Sequence, residues 1–298
     1  MSRGHAARPG MSFGRRLRLH AGQTGTAGAL QLAGSTAVPT RTSAPRYAAL
    51  AALLIVVTAP ATSSAQVTHS LAIRGHDQLL RLYGPPNGVP VIVSSGDGGW
   101  IHLGPHVAEM LAARGFFVVG FDVRAYLTSF TNETQVLRPS DEPGDYKVLA
   151  SFASAATGRK PVLIGVSEGA GLSVLAATDA QTKTAIAGVI ALGLPDRNEL
   201  GWRLKDALIY LTHRVPNEPT FSAASTVGAI APLPLALVQS THDEFVPLAE
   251  TQRIFDRASA PKQLWIVDAS NHRFSSNLAV FDSRLMEALE WIRHNQPQ

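Results

Sequence analysis

The sequence predicts an α/β fold, a single mostly parallel sheet covered by helices on both faces. Three observations carry this expectation. Short runs such as "VPVIVSS", "FFVVGFDV" and "PVLIGV" are apolar at almost every position, which marks strands buried on both sides. These runs alternate with helical segments. Where strand gives way to helix the chain is glycine-rich, as in "GDGGW" and "GVSEGAG".

From Val67 onward the elements follow in order. "VTHSLAI" and "DQLLRLYG" form an opening pair of strands, and "PPNG" is the turn to the next. "VPVIVSS" leads through "GDGGW" into an amphipathic helix with Leu103, Val107, Met110 and Leu111 on one face, stopped at Gly115. "FFVVGFDV" is a buried strand, followed by a polar loop and a helix from about Asp145 to Ala156. "PVLIGV" is a strand and "EGAGLSVLAAT" a helix; "AIAGVIALG" and "PLALVQS" are strands, "PLAETQRIFDRA" a helix and "KQLWIVDAS" a strand. The last helix sets Phe281, Leu285, Leu289 and Ile292 on one face. No internal repeat or linker interrupts 67–298, so one domain is expected there.

The chain has 298 residues and a formal net charge of +4. The positive balance belongs to the first 65 residues, which hold seven arginines and no acidic residue. The remainder is net negative and has no basic run to track phosphates, which sets nucleic acid aside. There is no cysteine, which excludes disulfides, thiolate metal sites, a cysteine nucleophile and a lipoprotein anchor. The acidic residues are scattered, and neither a metal nor a cofactor is expected.

"RYAALAALLIVVTAPATSSAQ" places Arg46 before an apolar stretch from about Ala48 to Val57, then Ser63 and Ala65 before a cut at Gln66. That is the layout of a secretory signal peptide, and its core is short for a membrane span. Residues 1–65 are therefore expected to be a leader, with the true start downstream of Met1 near Val38, and the mature protein to be periplasmic or secreted.

Chemistry-bearing residues gather at the strand ends. Ser167 stands in G-x-S-x-G between a strand and a helix, the context of a nucleophile on a strained turn where side chains at 165 and 169 would collide. A serine hydroxyl needs a base, and the base an orienting acid. His272 follows the last strand and Asp243 the one before it; Asp268, four residues before His272, is a rival acid, and His242 and Glu244 read as turn residues. The order Ser, Asp, His at three strand ends is that of an α/β hydrolase. The amides of Glu168 and of Gly98, with Asp97 or Gly99 as neighbours in register, are candidates for the oxyanion hole.

The segment "SGDGGWIHLGPHVAEMLAARGFFVVGFD", followed by "VLIGVSEGA", resembles the bacterial virulence-protein family typified by VirJ and AcvB. About 75 residues carry the resemblance, through the S-G-D-G-G-W box and the elbow. Two departures stand out: the family elbow reads G-Y-S-F-G-A where this chain has G-V-S-E-G-A, and "RAYLTSFTNETQ" replaces a tryptophan-containing loop. The resemblance implies a periplasmic protein. It also implies either hydrolysis of a lipid ester such as lysyl-phosphatidylglycerol or association with a secretion system. The expected partners are a small-molecule or lipid ester, the membrane surface and a secretion-system component. The alternative is a hydrolase-like escort protein without turnover; a peptidase of the same fold is a weaker third reading.

Asp97 and Glu168 would then select a cationic aminoacyl ester, unless Asp97 caps the following turn and Glu168 faces solvent. Trp100 and Trp202 are further candidates for the substrate pocket, and Tyr126 and Phe130 either line it or plug it. Residues 196–231 are where such folds carry lids. There "ELGWRLKDALIYL", with Trp202, Ala207, Leu208 and Leu211 apolar, reads as a core-packed helix or a small lid.

Overall fold

The computed structural model describes residues 66–132, 135–203 and 218–297. The leader and most of the proposed lid helix, including Ala207, Leu208 and Leu211, lie outside them.

Eight strands form one sheet: β1 (Val67–Ile73), β2 (His76–Tyr83), β3 (Val89–Ser94), β4 (Phe116–Phe121), β5 (Val162–Val166), β6 (Gly188–Leu192), β9 (Leu235–Ser240) and β10 (Lys262–Val267). Their spatial order is β1-β2-β4-β3-β5-β6-β9-β10. β1 and β2 pair antiparallel, β2 pairs antiparallel with β4, and every later pairing is parallel. A separate two-stranded ribbon joins β7 (Arg197–Glu199) to β8 (Thr220–Ser222).

The all-apolar strands do what their composition requires. Ile92, Val119, Leu163, Val189 and Leu237 belong to one core cluster. Their neighbours Val91, Val118, Ile164, Ile190 and Ala236 belong to another. Alternate side chains thus feed opposite faces of the sheet, and both faces are dry. Helices α1 (Leu103–Ala112) and α8 (Leu278–His294) cover one face. Helices α3 (Glu142–Ala155), α4 (Glu168–Ala176) and α7 (Leu248–Arg257) cover the other.

Several local expectations are corrected. The segment expected as a polar loop after β4 opens with helix α2 (Val123–Phe130), because the Asp122 carboxylate accepts the Ala125 amide and Tyr126, Leu127 and Phe130 are buried. The next helix starts at Glu142 and not at Asp145; Pro143 sits in its first turn, where a missing N–H costs nothing. β10 stops at Val267, releasing Asp268 to Ser270 as loop. Helix α5 (Ala180–Ala185) had no expectation attached, and the β7–β8 ribbon and the four-residue α6 (Ala223–Thr226) fall inside the 196–231 segment expected to carry a lid.

Chain reversal about β3 positions the site. From β3 the chain moves outward to β4, then returns to β5 on the opposite side of β3. The carboxyl ends of β3 and β5 therefore open onto a crevice from which the following loops diverge, the place where ligands bind in such sheets.

Candidate active site

Ser167 follows β5 and opens α4 with φ 51° and ψ −116°, a backbone conformation an L-residue adopts only under constraint. Its surroundings supply that constraint. A Cβ on Gly165 would lie 2.2 Å from the Gly169 carbonyl oxygen, and a Cβ on Gly169 would lie 2.3 Å from the Ser95 carbonyl oxygen. The turn is so tight that strand, helix and the loop after β3 touch through backbone alone. An ideal Cβ on Gly96 would sit 3.4 Å from the Ser167 Cβ, so that loop lies directly against the serine.

His272, in the loop after β10, has its Nδ1 2.6 Å from Asp243 Oδ2. A carboxylate can only accept, so Nδ1 carries the proton and Nε2 is left as the acceptor. Nε2 is buried and has no hydrogen-bond partner among the described residues. Asp243 is itself held on every side. Its Oδ1 accepts the amides of Phe245 and Val246, and its Oδ2 also accepts the Gln239 side-chain amide. Burial pushes the Asp243 carboxyl up, but the hydrogen bond from His272, its charge and the two amides outweigh that; the net shift is below the ordinary carboxylate range. Asp268, the rival acid, instead accepts the Thr241 hydroxyl.

Several residues around the imidazole escaped the sequence reading. Glu244, expected to be a plain turn residue, accepts the His272 backbone N–H at 2.7 Å and so fixes the loop that carries the ring. Gly193, after β6, leaves space for the ring: a Cβ there would lie 2.6 Å from His272 Cε1. His102, the residue before α1, has φ 56° and ψ −111°, close to the Ser167 geometry. No local pattern of residue types marks these roles, since each depends on chain segments distant in sequence.

The loop after β3 is braced by the next strand. Ser95 N–H donates to the Phe121 carbonyl, Ser95 Oγ accepts the Val123 amide, and Trp100 N–H donates to Asp122 Oδ2. Gly99 N–H closes onto the Gly96 carbonyl. The amides of Gly98 and Glu168 donate to no acceptor among the described residues.

Ser167, Glu168, Asp97, Gly98 and His272 line one cavity of about 540 Å³, together with Ile101, His102, Arg124, Arg197, Glu199, Phe245 and Arg273. The Glu168 side chain does not face solvent. It is buried, and its Oε1 accepts the Glu199 N–H at 2.5 Å. Burial first, then the Glu199 and Asp97 carboxylates, raise its carboxyl well above the ordinary range, which the Glu199 amide only partly opposes.

The four aromatic pocket candidates lie outside that lining. Tyr126 is wholly buried and donates its hydroxyl to Asp145 Oδ2 at 2.6 Å, and Phe130 packs against Tyr126, His76 and the Arg74 guanidinium. Both sit on the inward face of α2, which the loop expectation had missed. Trp100 lies over Gly120 and donates Nε1–H to the Tyr83 hydroxyl, so it anchors the loop. Trp202 is outside the cavity lining but stacks 5.4 Å from the Arg124 guanidinium. A second concavity of about 490 Å³, at Asp196, Ser222 and Arg253, is apart from Ser167.

This strand order, with a strained serine after the fifth strand, defines the α/β-hydrolase fold. Solved structures agree. GrgF, an α/β hydrolase from Penicillium sp. sh18, aligns with a TM-score of 0.56 at 14% identity, covering 78% of this chain and 99% of that one. A membrane phospholipase A described as a bacterial virulence factor aligns at 0.57 and 13%, covering 76% and 87%. The 2-hydroxy-6-oxo-6-phenylhexa-2,4-dienoate hydrolase of Rhodococcus sp. strain RHA1 aligns at 0.56 and 15%, covering 76% and 100%. More specifically, residues 89–290 match the bacterial virulence protein (VirJ) family, and the chain belongs to it. No curated protein matches the chain.

Proposed function

We propose that this protein is an exported serine hydrolase that cleaves carboxylic esters through an acyl-enzyme. One observation carries the reading: a serine held at φ 51° shares a cavity with a histidine whose Nδ1 is committed to a carboxylate and whose Nε2 is left to accept. In this mechanism Nε2 takes the Ser167 hydroxyl proton as Oγ attacks the ester carbonyl. The oxyanion receives the amides of Glu168 and the Gly98 region, and His272 returns the proton to the leaving alcohol. Water, deprotonated by the same imidazole, then releases the acid. Asp243 keeps the ring oriented and stabilises it when charged.

The proposed substrate is a lipid ester, with an aminoacyl ester such as lysyl-phosphatidylglycerol first in line. Support comes from the family resemblance and from the phospholipase among the structural neighbours. Export rests on the leader alone, which lies outside the described residues. Selection of a cationic acyl group falls mainly to Asp97, because raising the Glu168 carboxyl favours its neutral form.

The test is turnover of short-chain esters and of lysyl-phosphatidylglycerol vesicles by the purified protein beside Ser167→Ala. Hydrolysis abolished in the variant supports the reading. A folded wild-type protein that hydrolyses neither favours the escort alternative.

A further inference from the structure

Three arginines line the cavity beside Ser167: Arg124, Arg197 and Arg273. All three are exposed, and none forms an ion pair among the described residues, where most other arginines do. An exposed guanidinium with no ion pair is free to meet an anion that enters the cavity.

Arg124 is also positioned. It stands in the first turn of α2, and its side chain runs back over the loop after β3. Gly99, at φ 85°, lies so close beneath it that an ideal Cβ there would sit 3.1 Å from Arg124 Nε. The Trp202 ring flanks the guanidinium at 5.4 Å, restricting a side chain that would otherwise be mobile. A guanidinium with five N–H donors, lying beside the oxyanion loop and without a carboxylate, suits bidentate binding of phosphate or carboxylate.

We propose that Arg124, backed by Arg197 and Arg273, is a specificity-determining residue that binds an anionic group, a phosphate by preference, on the substrate of this site. The assignment rests on the reading of the cavity as an ester-binding site and adds the charge of its ligand. The phosphate could belong to a lipid headgroup or to a soluble phosphate compound; both present the same oxygens to the arginines.

The experiment uses ligands that cannot be cleaved, so it does not depend on turnover. Binding of 1-O-hexylglycerol 3-phosphate, neutral 1-O-hexylglycerol and inorganic phosphate is measured by calorimetry on the Ser167→Ala protein, alone and combined with Arg124→Gln or Arg124→Lys. The phosphate ether is expected to bind about tenfold or more tightly than the neutral ether, a preference that weakens with added salt. Arg124→Gln should reduce it to about threefold or less, with Arg124→Lys in between and the thermal midpoint unchanged. If inorganic phosphate binds as tightly as the phosphate ether, the ligand is a soluble phosphate compound; if the ether binds more tightly, it is a lipid headgroup. Equal binding of the two ethers, or a preference that survives Arg124→Gln, would overturn the assignment. A protein that prefers phosphate yet hydrolyses no ester would keep this inference and lose the hydrolase reading.

Discussion

Ser167 and His102 are both held in backbone conformations that glycine adopts freely and other residues resist. Strain of this kind costs about 1–3 kcal/mol per residue and persists where the surrounding structure enforces it. Ser167→Gly should therefore raise stability by about 1 kcal/mol in urea denaturation while removing the hydroxyl. His102→Gly should stabilise by a similar amount, about 1 kcal/mol, and leave any covalent labelling of Ser167 in place. Around His272, Asp243→Asn should slow ester turnover by about 10³-fold or more, because an amide in that position favours the wrong tautomer. The serine, histidine and aspartate were legible because each follows a recognisable strand in a known order. Glu244, Gln239 and Gly193 were not, since their partners are set by how three loops converge.

The elbow as an element depends on β5, α4 and the loop after β3 meeting through backbone contacts. Gly169→Ala would drive a Cβ to within 2.3 Å of the Ser95 carbonyl oxygen, where nothing flexible can yield. The expected result is a loss of about 3 kcal/mol or more, read as a large fall in the denaturation midpoint. Retention of wild-type stability would mean the three segments are not packed this closely. Elements with uniform apolar composition were read correctly because two-sided burial leaves a plain signature. Helix α2 was missed for the opposite reason. Its buried face is Val123, Tyr126, Leu127 and Phe130 among polar residues, and its start is fixed by a single Asp122 cap. Of the two roles open to Tyr126 and Phe130, lining or plugging the pocket, their inward position on that helix excludes the lining one.

Across the whole molecule, buried carboxyls set the pH response. Glu142 is wholly buried in the first turn of α3 with neither oxygen hydrogen-bonded among the described residues, and burial followed by the Asp145 charge raises its carboxyl well above the ordinary range. Glu168 is shifted the same way. For both, the folded state holds the proton more tightly than the unfolded chain. Their contribution is thus complete below the ordinary glutamate range and is lost as pH rises toward the raised values. Asp243 is lowered in the folded state, so its contribution is present above the ordinary aspartate range and lost as pH falls through its depressed value. Glu142→Gln should flatten the decline in denaturation midpoint as pH rises above the ordinary glutamate range and stabilise the protein at the alkaline end. An unchanged slope would show that Glu142 ionises freely.

The fold and belonging to the VirJ family place this chain among α/β hydrolases; whether Ser167 is an activated nucleophile is the central claim. The most direct measurement is intact-mass analysis of the purified protein after exposure to a fluorophosphonate, beside Ser167→Ala and His272→Ala. The account predicts one adduct on the wild type and none on either variant. A folded wild-type protein that stays unmodified, or an adduct that survives in Ser167→Ala, would contradict it.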